Sequence, residues 1–417
     1  MAPRVRSPLA GARVGAMAAV IAAIALLAGC GEGSGSSGAN AATVAGGCPQ
    51  TVVRTLGGIL QRIYHEGVES ERTGAAKHIV EYSAPLREAI ESGSSAAVLR
   101  AARALVASGH ITNLEVRVRG RTLADLGHAA LTPLSGTIKG AAGVPIATYE
   151  TSVWSDAGFI AEGTGVTDGL VVLRAGSRSL AGATLPSSLP ASEGTLSLHG
   201  VPYAYYSFPA EAYPAGNLRV FLLRTDASVQ PLCGSSSEQT LVNTLSHIAA
   251  LIYEGEVGSR THAQIRRVEH DRPLLEAVVR REPLALRTAI DNLLNQHVVR
   301  IRVESSGTLL ADVGGPYVLA PVGGTLRFGG RRIGTFLLSI QDDEGYLRLA
   351  RRLAGLKVLM YMGTQLVKNS LGPVTGTIPA SGRYVYHGQN FRVYTLHATA
   401  FPSGPLTIRV LIPIPYP

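Results

Sequence analysis

Arg300 and Arg302 alternate with Val299, Ile301 and Val303, so both guanidinium groups fall on one side of an extended segment. Tyr361, Tyr384 and Tyr394 follow on later segments of the same kind, and Asp342 and Asp343 stand together just ahead of a helix-forming run. This set suits recognition of a small solute. A guanidinium pairs with a carboxylate through two parallel hydrogen bonds, and a tyrosine ring offers contact area with a polar tip. Arg117, Tyr149, Trp154 and Arg174 occupy comparable places about 187 residues earlier, with Arg119 beside them on the same segment. The opposing expectation is plain: strand arginines usually face water, and sheet tyrosines usually pack. Arg174 aligns with Tyr361, so two pockets built this way would differ.

Other chemistry is not legible. His65-Glu66 lacks the second histidine of a zinc-protease helix, and the cysteines form no Cys-x-x-Cys pair. Gly163-Thr164-Gly165 lacks the strand-then-helix setting of a dinucleotide loop and reads as a glycine-rich loop. No Ser-x-x-Lys occurs, and no nucleophile–base set marks an envelope hydrolase. His110 and His297 sit at helix-to-strand junctions, where a helix C-terminus favours them. The expectation is a non-enzyme with neither cofactor nor metal.

The N-terminus carries an address. Arg4, Arg6 and Arg13 precede an uncharged run from Val14 to Leu27 that ends Leu27-Ala28-Gly29-Cys30. A short apolar core behind a basic flank reads as an export signal over residues 1–29. Leu-Ala-Gly-Cys resembles the lipobox of bacterial lipoproteins, which implies lipidation of Cys30, an extracytoplasmic body and a membrane partner reached through the anchor. Residues 30–47 are Gly- and Ser-rich and form a flexible tether. The net charge of +9 is scattered, so no nucleic acid is expected as partner.

The rest of the chain states one pattern twice. Thr122 to Gly127 and Leu131 to Thr137 return as Leu309 to Gly314 and Leu319 to Thr325; His199-Gly200 returns as His387-Gly388. That period is the length of a domain. We read 48–226 and 238–417 as two tandem domains joined by a linker, 227–237. Cys48 opens one and Cys233 precedes the other, and in an exported chain this predicts a Cys48–Cys233 disulfide.

Each repeat opens with 3.6-residue periodicity, as in Leu241, Leu245, Ile248 and Ile252 or Leu56, Ile59, Leu60 and Ile63, and then changes to period two. Gly255 interrupts the first helix, and Pro283 suits the first turn of another. Strands are predicted around Leu309–Val313, Ile333–Ile340, Leu356–Tyr361, Tyr384–His387, Phe391–His397 and Leu406–Leu411, with a short helix at Glu344–Leu353. Short joints make the sheet antiparallel and the class α+β.

This order resembles the Cache family of extracytoplasmic, PAS-like sensor domains. The resemblance rests on "IGTFLLSIQDDEGYLRLARRLAGLKVLM" from Ile333 to Met360, on its weaker counterpart from Pro145 to Gly176, and on the closing strands "MYMGTQLVKNSLG" and "GRYVYHGQNFRVYTL". It implies two tandem PAS/Cache-like domains, each with N-terminal helices on an antiparallel sheet of five to six strands around a hollow. It also implies a small-molecule ligand, such as a carboxylate or an amino acid, and a membrane signalling or transport partner. The alternative function is a structural or interaction lipoprotein of the cell envelope that uses the duplicated fold as a docking surface.

Overall fold

The computed structural model describes residues 47–189, 192–255, 259–294, 298–374, 376–401 and 404–416. Cys30 and His297 lie outside them.

The first repeat runs α1 (Cys48–Val68), α2 (Glu71–Glu81), α3 (Ala84–Glu91), α4 (Ser95–Ala107), β1 (Asn113–Val118), β2 (Arg121–Gly127), β3 (Ala130–Leu131), β4 (Leu134–Lys139), β5 (Pro145–Ser152), β6 (Trp154–Ser155), α5 (Asp156–Thr167), β7 (Leu170–Ala175), β8 (Arg178–Ala181), β9 (Glu193–Leu198), β10 (Val201–Tyr213) and β11 (Gly216–Thr225). A single turn, α6 (Asp226–Val229), leads to the second repeat. That repeat runs α7 (Ser237–Gly255), α8 (Ser259–Glu269), α9 (Arg272–Arg280), α10 (Pro283–Leu294), β12 (Arg300–Ser305), β13 (Thr308–Gly314), β14 (Val318–Leu319), β15 (Val322–Phe328), β16 (Arg331–Ser339), α11 (Asp343–Ala354), β17 (Lys357–Met362), β18 (Gln365–Asn369), β19 (Gly382–Tyr386), β20 (Gln389–Phe401) and β21 (Gly404–Ile414).

The class is α+β, and each repeat sets leading helices against antiparallel strands. Gly255 ends α7 and Pro283 opens α10, as their chemistry requires. His199-Gly200 and His387-Gly388 both take positive φ, the geometry of a tight turn between twisted strands. The strand pairing adds a division within each repeat. Four strands form one sheet in the order β2-β1-β5-β4, repeated as β13-β12-β16-β15. The others form a seven-stranded and a six-stranded sheet centred on β10-β11 and β20-β21. Each repeat is therefore two-lobed.

The four-stranded lobes have private cores. Val80, Leu86, Ile90 and Val98 from α2, α3 and α4 meet Leu114, Val116, Ile138 and Tyr149. Val268, Leu274, Val278 and Ile290 meet Ile301, Val303, Leu326 and Phe336 in the second repeat. The larger lobes share one core. Leu56, Ile59, Leu60 and Ile63 of α1 and Leu245, Ile248, Ala249 and Ile252 of α7 pack together with Val171, Leu173, Val220 and Leu222 on one side and Val358, Met360, Ile408 and Val410 on the other. Two tandem domains would each close a core of their own. Helices apolar around more than one stripe serve two sheets instead, and residues 46–417 form one compact unit.

Polar contacts lock this core in matching ways. Tyr64 Oη accepts from the Glu211 backbone N–H at 2.8 Å, and Tyr253 Oη accepts from that of Thr399 at 2.9 Å. Across the repeats, Arg352 meets Glu66 at 2.7 Å; within the second, Tyr346 Oη donates to the Ala249 carbonyl at 2.8 Å. Gly163 lies inside α5, not in a loop: an added Cβ would come within 2.5 Å of Leu60 Cδ1, so glycine lets α5 close on α1. Cys48 and Cys233 form the predicted disulfide, with Cα atoms 5.5 Å apart.

That bridge spans 185 residues of sequence, and closing so long a loop removes about 5 kcal/mol of unfolded-state freedom in the chain-entropy model. Urea unfolding of the oxidised protein should show a single cooperative transition. Cys48→Ser should lower its midpoint by a corresponding amount; an unchanged midpoint, or two separated transitions, would contradict the shared core.

Candidate functional site

The surfaces able to meet a solute are the outer faces of the two four-stranded sheets and the outer faces of the two larger sheets. Strand register assigns their residues, because cross-strand partners point to the same side.

In the second repeat, Asp312, Arg302, Leu337 and Gly323 form one outer row across β13, β12, β16 and β15. Leu309, Glu304, Thr335 and Thr325 form the next. An open groove of about 410 Å³ lies over both, lined by Arg302, Glu304, Gly323, Gly324, Thr325, Thr335, Phe336 and Leu337. Arg302 Nε and Glu304 Oε1 are 3.0 Å apart, both partly exposed. Gly323 leaves the β15 backbone uncovered on this face, so hydroxyls, a matched charge pair and an apolar side chain meet in one concavity. A second groove, about 590 Å³, lies near the end of the large sheet and is lined by Tyr317, Met362, Gly363, Gln365, Val367 and Pro405.

The corresponding face of the first repeat has a different charge pattern. Its rows read Asp125, Glu115, Glu150, Ser135 and Thr122, Arg117, Thr148, Thr137. The ion pair is inverted: Arg117 stands where Glu304 does and grips Glu115 through two contacts of 2.8 Å. Burial first, and then the neighbouring Glu115, push the Glu150 carboxyl above its ordinary value, with Arg117 opposing them. Tyr213, at the tip of β10, donates to Asp125 at 2.7 Å.

The hollows expected beside the large sheets are filled by the chain itself. Residues 182–189 cross the first, bringing Leu185 and Leu189 onto Val172, Tyr205, Phe221 and Leu223. Leu371, Val374 and Ile378 cross the second, onto Leu359, Phe391, Val393 and Leu411. Each strap is clasped by an arginine. Arg174 is 7% exposed, lies over the Phe221 ring and donates to the carbonyls of Gly176, Pro186 and Ser187. In the second repeat Arg409 lies over Tyr361 and donates to the Ile378 carbonyl. Arginine and ring have exchanged strands between the repeats: β7 carries the arginine in one and β17 the ring in the other.

The residues singled out from sequence therefore do not converge on one pocket. Arg300 and Arg302 belong to the four-stranded sheet, whereas Tyr361, Tyr384 and Tyr394 belong to the large one. Tyr361 and Tyr384 pack beneath the strap, and Tyr394 is on the opposite face, 40% exposed. Arg302 lines the groove; Arg300 instead meets Asp312 at 2.7 Å and lies over Phe401. Asp342 caps α11, accepting from the Gly345 N–H at 2.6 Å. Arg117 is on the outer face of the first repeat, but Tyr149 points inward and donates to Glu81 at 2.8 Å. Trp154 lies under Arg72 where the lobes meet. Glu304, Thr325 and Thr335 were missed in sequence. Their signal was present, since period two puts Glu304 beside Arg302, but nothing local shows that β15 and β16 join the same face. Among the described residues no group of His, Cys, Asp or Glu is placed to hold a metal ion, and no helix is long and apolar enough to cross a membrane.

No protein-family model matches the chain, and no curated protein matches its sequence. Among solved structures it is similar to the periplasmic domain of Vibrio cholerae LuxQ, with 13% identity over 40% of this chain and 98% of that one, at a TM-score of 0.31. It is also similar to the ligand-binding domain of the Pseudomonas fluorescens chemoreceptor CtaA in complex with L-isoleucine, at 12% identity, 42% and 96% coverage and a TM-score of 0.26. An extracellular ligand binding receptor from Desulfohalobium retbaense matches at 10% identity, covering 53% of this chain and 47% of that one, with a TM-score of 0.24.

Two outcomes are expected of these surfaces. Arg174→Ala strands two strap carbonyls and uncovers Phe221, and should cost about 1–3 kcal/mol in urea unfolding and speed amide exchange in residues 182–189. Unchanged exchange there would rule out the clasp. For Glu150, a folded pKa above the unfolded one means that stability is complete below the ordinary value of 4.5 and is lost as pH rises through the folded value. Glu150→Gln should therefore flatten the decline in melting temperature above that pH and leave the variant at least as stable as wild type at neutral pH.

Proposed function

We propose that the chain is a membrane-tethered, extracytoplasmic module that binds a small solute and carries out no catalysis. Its domains are the repeats 48–226 and 238–417, and its anchor is lipid on Cys30. The groove over β12, β15 and β16 carries this reading: Arg302 and Glu304 present opposite charges 3.0 Å apart beside the Thr325 and Thr335 hydroxyls and the Leu337 side chain. An α-amino acid matches that pattern. Its carboxylate replaces Glu304 as the partner of Arg302, its ammonium replaces Arg302 as the partner of Glu304, and its side chain covers Leu337. Exchange of one ion pair for two lets a ligand alter how β12 sits against its neighbours, and so bias the lobes toward one of two arrangements. A membrane signalling or transport protein would read that state.

A second reading is a docking module of the cell envelope. The straps that fill both large-sheet hollows favour it, because they remove the enclosed pockets a sensor would otherwise use.

Differential scanning of the purified chain against the L-amino acids, isoleucine included, separates the two. A rise in melting temperature with one or more of them, lost in Arg302→Ala, supports solute binding; no rise with any supports docking. Cys30→Ala should move the chain from the membrane to the soluble fraction.

A further inference from the structure

The first repeat's four-stranded sheet sets three carboxylates in register. Asp125 and Glu150 are the cross-strand partners of Glu115 on either side, so all three lie on one face in one row. Like charges directly opposite one another destabilise a sheet, and such a row needs compensation. Among the described residues the cation paired with this row is Arg117, which is committed to Glu115, only 4% exposed. Glu150 has no hydrogen bond or ion pair among the described residues; burial first, then Glu115 and Glu211, raise its pKa, and Arg117 opposes them.

The second observation is one pleat along β1 on the same face. Asn113 is 1% exposed, and both polar atoms of its side chain lack a hydrogen-bond partner. A buried amide with neither donor nor acceptor satisfied is costly and rare in a native fold. The second repeat shows what belongs there. Arg300 occupies the equivalent place: it pairs with Gly314 as Asn113 pairs with Gly127, and it meets Ser339 as Asn113 meets Ser152. Its guanidinium bonds to Asp312, the counterpart of Asp125, donates to the Gly315 carbonyl and lies over Phe401, the counterpart of Tyr213. One repeat thus fills the position with its own cation. The other keeps the acid and the ring, shortens the arginine to asparagine and adds two further carboxylates.

We infer that this face of the first repeat binds a small organic cation, an amine or a guanidinium compound, between Asp125, Glu150 and Asn113, where the second repeat places Arg300. The ligand's charge offsets the carboxylate row, its N–H groups satisfy the Asn113 carbonyl, and the Tyr213 ring stands in for Phe401 against its apolar part. The site is separate from the amino-acid groove and does not depend on it. The two repeats then read different charge types with one scaffold.

Titration calorimetry of the full chain in detergent with agmatine, which carries both a guanidinium and an ammonium, tests this. Wild type should bind, and Glu150→Gln, which keeps the shape and relieves repulsion, should weaken binding at least about tenfold. Asn113→Arg, which rebuilds the arrangement of the second repeat, should abolish it. Absence of heat with wild type at millimolar agmatine overturns the inference, as does unaltered binding by Glu150→Gln. Since Asn113→Arg could fail by misfolding, the glutamine variant decides. A chain that responds to amino acids through Arg302 but never to agmatine refutes this site alone; one that binds agmatine but no amino acid refutes only the groove.

Discussion

Everything in this fold leans on the burial of α1 and α7 against each other between two large sheets. Ile59, Ile63, Leu245 and Ile248 are wholly buried there and belong to both repeats at once. Burying a side chain of this kind contributes about 1.5–3 kcal/mol, and the shared core multiplies that over some forty residues while each helix is ordered only once. The disulfide joins the start of α1 to Cys233, four residues past α6 and four before α7, so the covalent constraint acts on the same helix pair. A tandem of independent domains would have tolerated a flexible joint. This arrangement is instead an internal pair that cannot come apart without exposing its centre, and any change of state must be expressed in the peripheral four-stranded lobes.

Duplication left two copies of each surface, and the copies have diverged by exchange more than by loss. Glu115-Arg117 became Arg302-Glu304, an ion pair preserved with its charges reversed. Arg174 over Phe221 corresponds to Tyr361 under Arg409, a cation–π contact preserved with its members on opposite strands. In both cases the pair is the unit that packing requires, and which strand supplies which member is free to change. At the lobe junction the exchange is incomplete: Arg300 and Asp312 make a pair, whereas Asn113 and Asp125 do not. The departure from pairing, more than any residue type, distinguishes the two faces and gives them different chemistry.

The strapped hollows bear on how such a protein would respond. In both large lobes the space beside the sheet is taken by Leu185 or Ile378 and sealed by an arginine bonded to strap carbonyls. Opening the first would leave the buried Arg174 guanidinium and the Pro186 and Ser187 carbonyls without partners; opening the second would break the Arg409–Ile378 bond. The outer sheets, by contrast, present exposed polar groups on their open faces.

The sequence by itself determined the local elements, because their causes are local. Periodicity placed α1 and α7, Gly255 and Pro283 set helix ends, period two marked β1 and β12, and the paired His-Gly turns and the repeat revealed the tandem. The disulfide was legible from a different signal: if the N-terminus is an export signal ending at Cys30, Cys48 and Cys233 are the two cysteines left to pair. Which strands share a face was decided only in three dimensions. Glu150 reaches Glu115, and Thr325 reaches Thr335, through register between segments distant in the chain, and Tyr361 reaches Arg409 across 48 positions. Tyr149 and Arg117 alternate along strands in ways composition allows equally, yet one points to the core and the other to water. The merging of two cores into one was also invisible, because an apolar stripe on a helix records that it is buried and not by what. Long-range pairing entails a loop-closure cost that no local pattern encodes, so the site was settled by topology after the elements had been settled by sequence.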